Sequence, residues 1–308
     1  AGGQGGAGGQ GGAGGAPPAG PSFGVATYNV QRFFDRTCDS GRCGEGDFEF
    51  VPSAQNYQIR TEDVARGIVR LYREQGADVL ALQEIENQNS LDALLRALRQ
   101  YDDFPYTVQV LGETDFDASL DVAILARGER VRVITHRDEQ IQRPDGSRTT
   151  FSREFLEVHL DIPPLDDPGA PPQRVIAFAA HFKSQNNDDP GRRRAEARAA
   201  RRIVTEVAEA NPNALVVLAG DLNSAPGDPA LEDLMLGDEL ERAAAELGDA
   251  AATYWYFERG EAIDHVFRAR AGACAYAPGS AAVVQSGAMT GLGGSDHAAL
   301  AARFECAD

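Results

Sequence analysis

The chain lacks a long apolar run, an excess of basic residues and any Cys-x-x-Cys pair. No apolar stretch approaches the roughly 20 residues of a membrane-spanning helix, so no transmembrane segment is expected. Lysine and arginine number 29 against 47 aspartates and glutamates, a formal net charge of -18. A protein that holds nucleic acid through a broad basic face is usually basic. Here any polyanion has to be met locally, by a metal ion or a few arginines. That counts against a stable DNA-binding module, and less against an enzyme that touches one phosphate and releases it. The four cysteines, Cys38, Cys43, Cys274 and Cys306, include no zinc knuckle and allow three pairings. Cys38 to Cys43 can close a small loop, which leaves Cys274 with Cys306. Two such disulfides imply an oxidising compartment, and four free thiols are the other reading. No signal peptide is visible and the chain starts at Ala1 rather than Met. The expectation is a secreted or surface-tethered protein whose leader was removed or left out, a lipoprotein being one option.

What is present divides into two parts. Residues 1–20 hold 11 glycines and no charge, so residues 1–21 read as a flexible tether with nothing to bury. A tail without a role is the competing reading. Residues 22–308 read as the folded domain, long enough for a substantial core. Short segments rich in β-formers and bounded by turn residues read as strands: 24–30, 77–82, 120–126, 155–162, 175–182, 214–218, 263–267 and 298–304. Helices fall between them. Thr61 is the expected cap of one with Val64, Ile68 and Leu71 on one face and Gly76 at its end. Ser90 is the expected cap of a second. A third covers 192–210 and stops at Pro212. Helices alternating with core strands imply layered sheets with helices outside.

Polar residues cluster at the ends of these strands. Asn29, Glu84, His181, Asp221 with Asn223, Asp264, and Asp296 with His297 each follow or open an apolar segment. Singly they mean little, since a lone His is more often structural and Gly-Asp-x-Asn makes an ordinary turn. Jointly they offer carboxylates, carboxamides and imidazoles from five strand ends, with no cysteine. That donor set suits a hard cation, Mg²⁺ or Mn²⁺, better than zinc. Asp221 and Asn223 sit two apart and share a face if extended; one could activate water while the other holds it or the phosphate. A His supported by a carboxylate stays cationic more readily, and could then steady or protonate phosphate oxygens.

The ordered series Tyr28-Asn29-Val30, Gln83-Glu84, His181, Gly220-Asp221-Leu222-Asn223, Ile263-Asp264-His265 and Ser295-Asp296-His297 resembles the endonuclease/exonuclease/phosphatase superfamily, from about Phe23 to Phe304. Phe151-Ser152-Arg153-Glu154 resembles a stretch of pancreatic-type deoxyribonucleases. The stretches beginning at Asn29, Glu84 and His181 look more like bacterial extracellular nucleases. The resemblance implies an α/β, four-layered sandwich: two mostly antiparallel sheets face to face, helices outside, the site at one end. It implies that Glu84 is the main metal ligand, with Asn29 and Asp296 nearby. Asp221 would align or deprotonate the attacking water, and Asn223 would orient water and phosphate. Asp264 would pair with His297 at the scissile phosphate. His181 would be a second phosphate contact or general acid, and Arg153 would grip phosphate. Asp121 has a weaker match, with a structural role as the alternative. Pancreatic-type enzymes carry an Arg two places after the metal-binding Glu; here Glu86 stands there, which puts their mode of duplex reading in doubt. No aromatic loop of the membrane-acting sphingomyelinases is matched.

Several features admit plainer readings. Arg192, Arg193, Arg194, Arg198, Arg201 and Arg202 crowd one helix. They are either a phosphate track or a solvated face paired with Glu196 and Glu206, and the second is preferred because such charge runs are common. Lys183 and Ser184 either touch substrate or shape their loop. Tyr254, Trp255 and Tyr256 either stack bases or complete a core. His265 is expected to be structural, and His136 and His159 carry no motif. The leading expectation is a secreted, Mg²⁺-dependent (or Mn²⁺-dependent) nuclease, monomeric and without a stable protein partner, with Ca²⁺ as an auxiliary ion. A phosphatase or phospholipase C on the same fold is the alternative. A non-catalytic surface binding module is the alternative from another class.

Overall fold

The computed structural model describes residues 20–306 apart from 115, 168 and 257. The expected tether, 1–21, lies outside the described residues except for its last two positions. In chain order come β1 (Ser22–Phe33), α1 (Ala54–Gln75), β2 (Ala77–Ile85), α2 (Gln88–Leu98), β3 (Val108–Gly112), β4 (Asp121–Ala126) and β5 (Glu129–Thr135). The short hairpin of β6 (Ile141–Gln142) and β7 (Arg148–Thr149) precedes β8 (Leu156–Ile162), β9 (Gln173–His181), α3 (Pro190–Ala210), β10 (Leu215–Asp221) and α4 (Pro229–Met235). The chain closes with β11 (Leu240–Arg242), β12 (Tyr254–Tyr256), β13 (Arg259–Glu261), β14 (Asp264–Ala269), β15 (Cys274–Tyr276), β16 (Ala282–Val284) and β17 (Ala299–Cys306).

Two large sheets result. One runs β15-β17-β1-β2-β4-β3, with β16 also on β17; the other runs β11-β14-β10-β9-β8-β5. Each has one parallel pair at its centre, β1 with β2 and β9 with β10, and is otherwise antiparallel. The strand period of two sorts the side chains between layers. Val25, Val79, Ala177 and Val217 face the layer between the sheets. Leu80 and Leu82 face α1 and α2, and Val216 and Leu218 face α3 and α4. This is the four-layered α/β sandwich expected from the resemblance.

The helix starts differ from expectation. α1 is capped by Ser53, whose side chain accepts from the Asn56 N–H, two turns before Thr61. Thr61 instead donates back to the Tyr57 carbonyl at 2.7 Å. α2 is capped by Asn87, not Ser90, and Ser90 supplies the capped N–H. α3 is capped by Asp189 with Pro190 in its first turn, and ends at Ala210 before Pro212 is reached. Gly76 closes α1 in the left-handed conformation, φ 60°, as its position suggests.

Both expected disulfides are formed, Cys38–Cys43 and Cys274–Cys306. The α3 arginines are spoken for: Arg194 and Arg198 pair with Asp233, Arg202 with Glu206 and Glu139, Arg193 with Asp188, and Arg192 and Arg201 donate to backbone carbonyls. The solvated-face reading fits, but most partners lie far away in sequence. Glu196 is buried and accepts from the backbone N–H groups of Ser152 and Lys183, tying two loops that flank the cleft.

Candidate active site

Along four strands the inward-facing apolar series ends in a polar residue. Val25 and Thr27 lead to Asn29; Ala177 and Ala179 to His181; Val217 and Ala219 to Asp221; and Val266, read backwards, to Asp264. β10 lies between β9 and β14, so Asp221 pairs in register with both His181 and Asp264. A cleft of about 500 Å³ opens over these strand ends. It is lined by Glu84, Arg153, His181, Ser184, Asp221, Asn223, Asp296 and His297. Gly220 is required for this packing, because a Cβ there would lie 2.1 Å from the Ala180 carbonyl oxygen.

Glu84 reaches the cleft by a break in the strand pattern. Its φ is 67°, in the left-handed region, and β1 opposite carries Gln31 and Arg32 at φ 51° and 45°. Such backbone is costly and is kept where surrounding contacts over-determine it. Here the Arg32 N–H donates to Glu84 Oε2 at 2.6 Å and Asn29 Nδ2 to Oε1 at 3.1 Å. Asn29 Nδ2 also donates to Asp221 Oδ2 at 3.0 Å, so Asn29 presents its nitrogen to both carboxylates, while its oxygen accepts from the Gln31 N–H. Asp221 Oδ1 accepts from the Asn223 N–H, and Asn223 Nδ2 donates to the Phe182 carbonyl. Arg153 donates to the same carbonyl at 3.2 Å.

On the opposite wall His297 Nδ1 bonds Asp264 Oδ2 at 2.8 Å, and its Nε2 lies 3.9 Å from both Asp221 Oδ2 and Asp296 Oδ1. Ser295 locks this loop onto β1: its Oγ donates to the Asn29 carbonyl and accepts from the His297 N–H. His181 Nε2 lies 3.6 Å from Asp221 Oδ2 and 4.0 Å from Glu84 Oε1.

The electrostatics separate the two imidazoles. Burial alone would lower His297, but the Asp264 charge and hydrogen bond, then Asp221 and Asp296, push it up to about 10. It is therefore an imidazolium at neutral pH. His181 is held well below the ordinary range by burial, then by the charges of Arg153 and His297, so it is neutral. Burial, then the nearby Asp264, raise the Asp221 carboxyl.

Glu84, Arg153, His181, Ser184, Asp221, Asn223, Asp296 and His297 thus line this one cleft, with Asn29 and Asp264 bonded to them from behind. Asp121 accepts from Thr114 and Ser119 and braces their loop. Lys183 donates to the Ser184 and Asn186 carbonyls and shapes its own loop. His265 sits behind the site between Ser224 and Arg242. Of the aromatic triplet, Tyr254 and Tyr256 line the cleft, whereas Trp255 lines a separate depression with Arg259. Sequence reasoning missed Arg32, Phe48 and Leu120 among the lining residues. Only the fold brings them there.

A two-sheet α/β sandwich with this carboxylate and imidazole cleft at the strand ends defines the deoxyribonuclease-I-like class of phosphoester hydrolases. The endonuclease/exonuclease/phosphatase family model matches residues 26–297, and the chain belongs to that family. Among curated proteins none matches the sequence. Solved structures share the fold. D. rerio TDP2 complexed with a single-strand DNA product has a TM-score of 0.57 at 15% identity, over 92% of this chain and 98% of that one. An endonuclease/exonuclease/phosphatase family protein from Bacteroides thetaiotaomicron gives 0.58 at 15%, over 94% and 99%. The human Nocturnin catalytic domain with a bound sulfate anion gives 0.59 at 13%, over 93% and 94%.

Proposed function

We propose that this chain is a secreted or surface-tethered, divalent-metal-dependent nuclease that hydrolyses phosphodiester bonds by in-line attack of water. The observation that carries the reading is the convergence of Glu84, Asp221 and the Asp264–His297 pair in one cleft from strand ends far apart in sequence. The folded domain is the catalytic unit. The two disulfides and the lack, among described residues, of a helix long and apolar enough to cross a membrane are compatible with an extracellular setting.

The residues present fit a hard cation. Glu84 and Asp296 both offer carboxylate oxygens to the cleft, and Asp296 Oδ1 is buried without a hydrogen-bond partner. These two residues would hold Mg²⁺ or Mn²⁺. The oxygens and ring nitrogen of Asp221, Asp264 and His297 also lie within 4.8 Å of one another. His297 Nδ1 is already engaged by Asp264 Oδ2, and the cation is assigned to Glu84 and Asp296. When bound, it would polarise the phosphate and neutralise developing charge. Asn29 then acts by positioning Glu84 and Asp221 through its amide nitrogen.

Asp221 holds the attacking water, and its raised basicity suits it to take the proton as the new O–P bond forms and the P–O bond opposite it breaks, the departing oxygen taking up a proton from the medium. Asn223 orients water and phosphate. The His297 imidazolium donates to a phosphate oxygen as charge builds, and Asp264 keeps it charged and aligned. Neutral His181, Arg153 and Ser184 contact the phosphate group or its neighbour. The likeness to a TDP2 structure holding a DNA product and to a Nocturnin structure holding sulfate supports a polyanionic substrate. The test is a panel of DNA, RNA, sphingomyelin and small phosphoesters, each with Mg²⁺, Mn²⁺, Ca²⁺ or EDTA. Metal-dependent turnover of DNA or RNA above the other substrates is expected; turnover confined to sphingomyelin or monoesters would overturn the nuclease reading.

A further inference from the structure

The cleft does not end at the strand tips. It continues past Phe48 into a second groove of about 400 Å³, lined by Phe48 and Phe116 as well as Arg153 and Lys183. Both phenylalanines are exposed, Phe48 at 58% and Phe116 at 64%. Single exposed rings are common, but these two line one groove that opens into the cleft.

The ring at position 48 is mounted on a rigid base. The loop after β1 is closed by the Cys38–Cys43 disulfide. Buried Glu49 accepts from the Asp39 and Ser40 N–H groups at 2.7 and 2.8 Å, and Glu86 accepts from the Asp35 N–H at 2.6 Å. Phe34 meets Phe48 edge-on, with centroids 5.8 Å apart. The Arg32 guanidinium lies 4.9 Å from the centre of the Phe48 ring, forms no ion pair or side-chain hydrogen bond among the described residues, and keeps its Nε buried and unpartnered. Arg137 lies 4.5 Å over Phe116 in the same way. Arg153 and Lys183 donate only to backbone carbonyls. In a molecule of net charge -18, cations whose side chains bond no carboxylate among the described residues therefore collect beside two exposed rings. Among the described residues, Asp117 and the buried Asp121 are the carboxylates that line the groove.

Rings that stack bases, set among cations that meet phosphates, are the elements of a single-strand track. Resting on the nuclease reading above, we infer that this groove holds the unpaired nucleotides flanking the scissile phosphate, with Phe48 and Phe116 as base platforms and Arg32 as a phosphate contact. A duplex would keep its bases stacked on each other and leave both rings unused, so the substrate class is single-stranded nucleic acid.

The test measures binding of a short phosphorothioate single strand carrying 2-aminopurine, by fluorescence quenching with Mg²⁺ present. Phe48→Ala and Phe116→Ala should each weaken Kd about 5-fold or more. Phe48→Tyr should restore it, and an abasic strand should bind wild type as weakly as it binds Phe48→Ala. If both alanine variants bind within 2-fold of wild type while wild type cleaves single strands, the track is wrong and the nuclease reading stands. If wild type hydrolyses small phosphoesters but neither binds nor cleaves the strand, the nuclease reading falls and the track with it. Melting temperatures of the variants separate lost stacking from lost folding.

Discussion

His297 owes its charge to its neighbours rather than to exposure. A buried imidazole would ordinarily be neutral, and Asp264 at 2.8 Å reverses that, raising it to about 10. Because the folded value lies above the ordinary value of about 6.5, the stabilisation of the charged form is complete below that pH. It is lost as pH rises through about 10. Asp264→Asn should therefore move the His297 titration, followed by NMR of the ring, downward toward the ordinary value. It should also pull down the alkaline limb of the kcat/KM profile. His297→Ala should lower kcat by about 10²–10⁴-fold, the size of a lost transition-state donor. A near-wild-type rate would remove His297 from the chemistry.

At the scale of elements, Glu157 and His159 of β8 form a hydrogen-bonded cluster with His136 outside the cleft. Glu157 accepts from His136 and His159, and although burial pushes its carboxyl up, these bonds hold it down to about 2. A depressed carboxylate contributes stability above its unfolded value of about 4.5. That contribution is lost as pH falls through about 2. The difference in urea midpoint between wild type and Glu157→Gln should thus be largest at neutral pH and shrink in acid; a constant gap would contradict the cluster. The disulfides give a second contrast. Cys274–Cys306 fastens β15 to β17 across 32 residues, whereas Cys38–Cys43 spans 5. The chain-entropy model gives about 3–4 and about 2 kcal/mol. Double replacement by serine should lower Tm more for the longer span. The elements themselves were legible to different degrees. The central strands were clear because both their faces are buried, whereas β3 and β5 at the sheet edges were not read, β5 being exposed along nearly all its length. The start of α1 was not, because its first turn (Ala54 to Asn56) is exposed and gives no apolar period, and only Val64 onward repeats.

For the molecule as a whole, net charge argued against a nucleic-acid surface, and the proposed phosphate site is reconciled with it by Arg32, Arg137, Arg153 and Lys183, which have no carboxylate hydrogen-bond partner for their side chains among the described residues. The residues that meet in the cleft were readable because each closes a strand or opens a loop with a distinctive neighbour, as in Gly220-Asp221-Leu222-Asn223 and Ser295-Asp296-His297. Arg32 and Phe48 were not, because their meeting depends on a disulfide-closed loop that folds back over β1, and no local pattern records it. The bonds of Asn29 Nδ2 to Glu84 and Asp221 were likewise hidden, since sequence names an amide without saying which end faces the carboxylates. The most direct test of the account is hydrolysis of an end-labelled single-stranded oligonucleotide by wild type and Glu84→Gln, each with Mg²⁺ and with EDTA. The account predicts rapid cleavage only for wild type with Mg²⁺, with Glu84→Gln slower by about 10²-fold or more, the order seen when a charge-stabilising group is removed. Cleavage that persists in EDTA, or a Glu84→Gln rate equal to wild type, would contradict it.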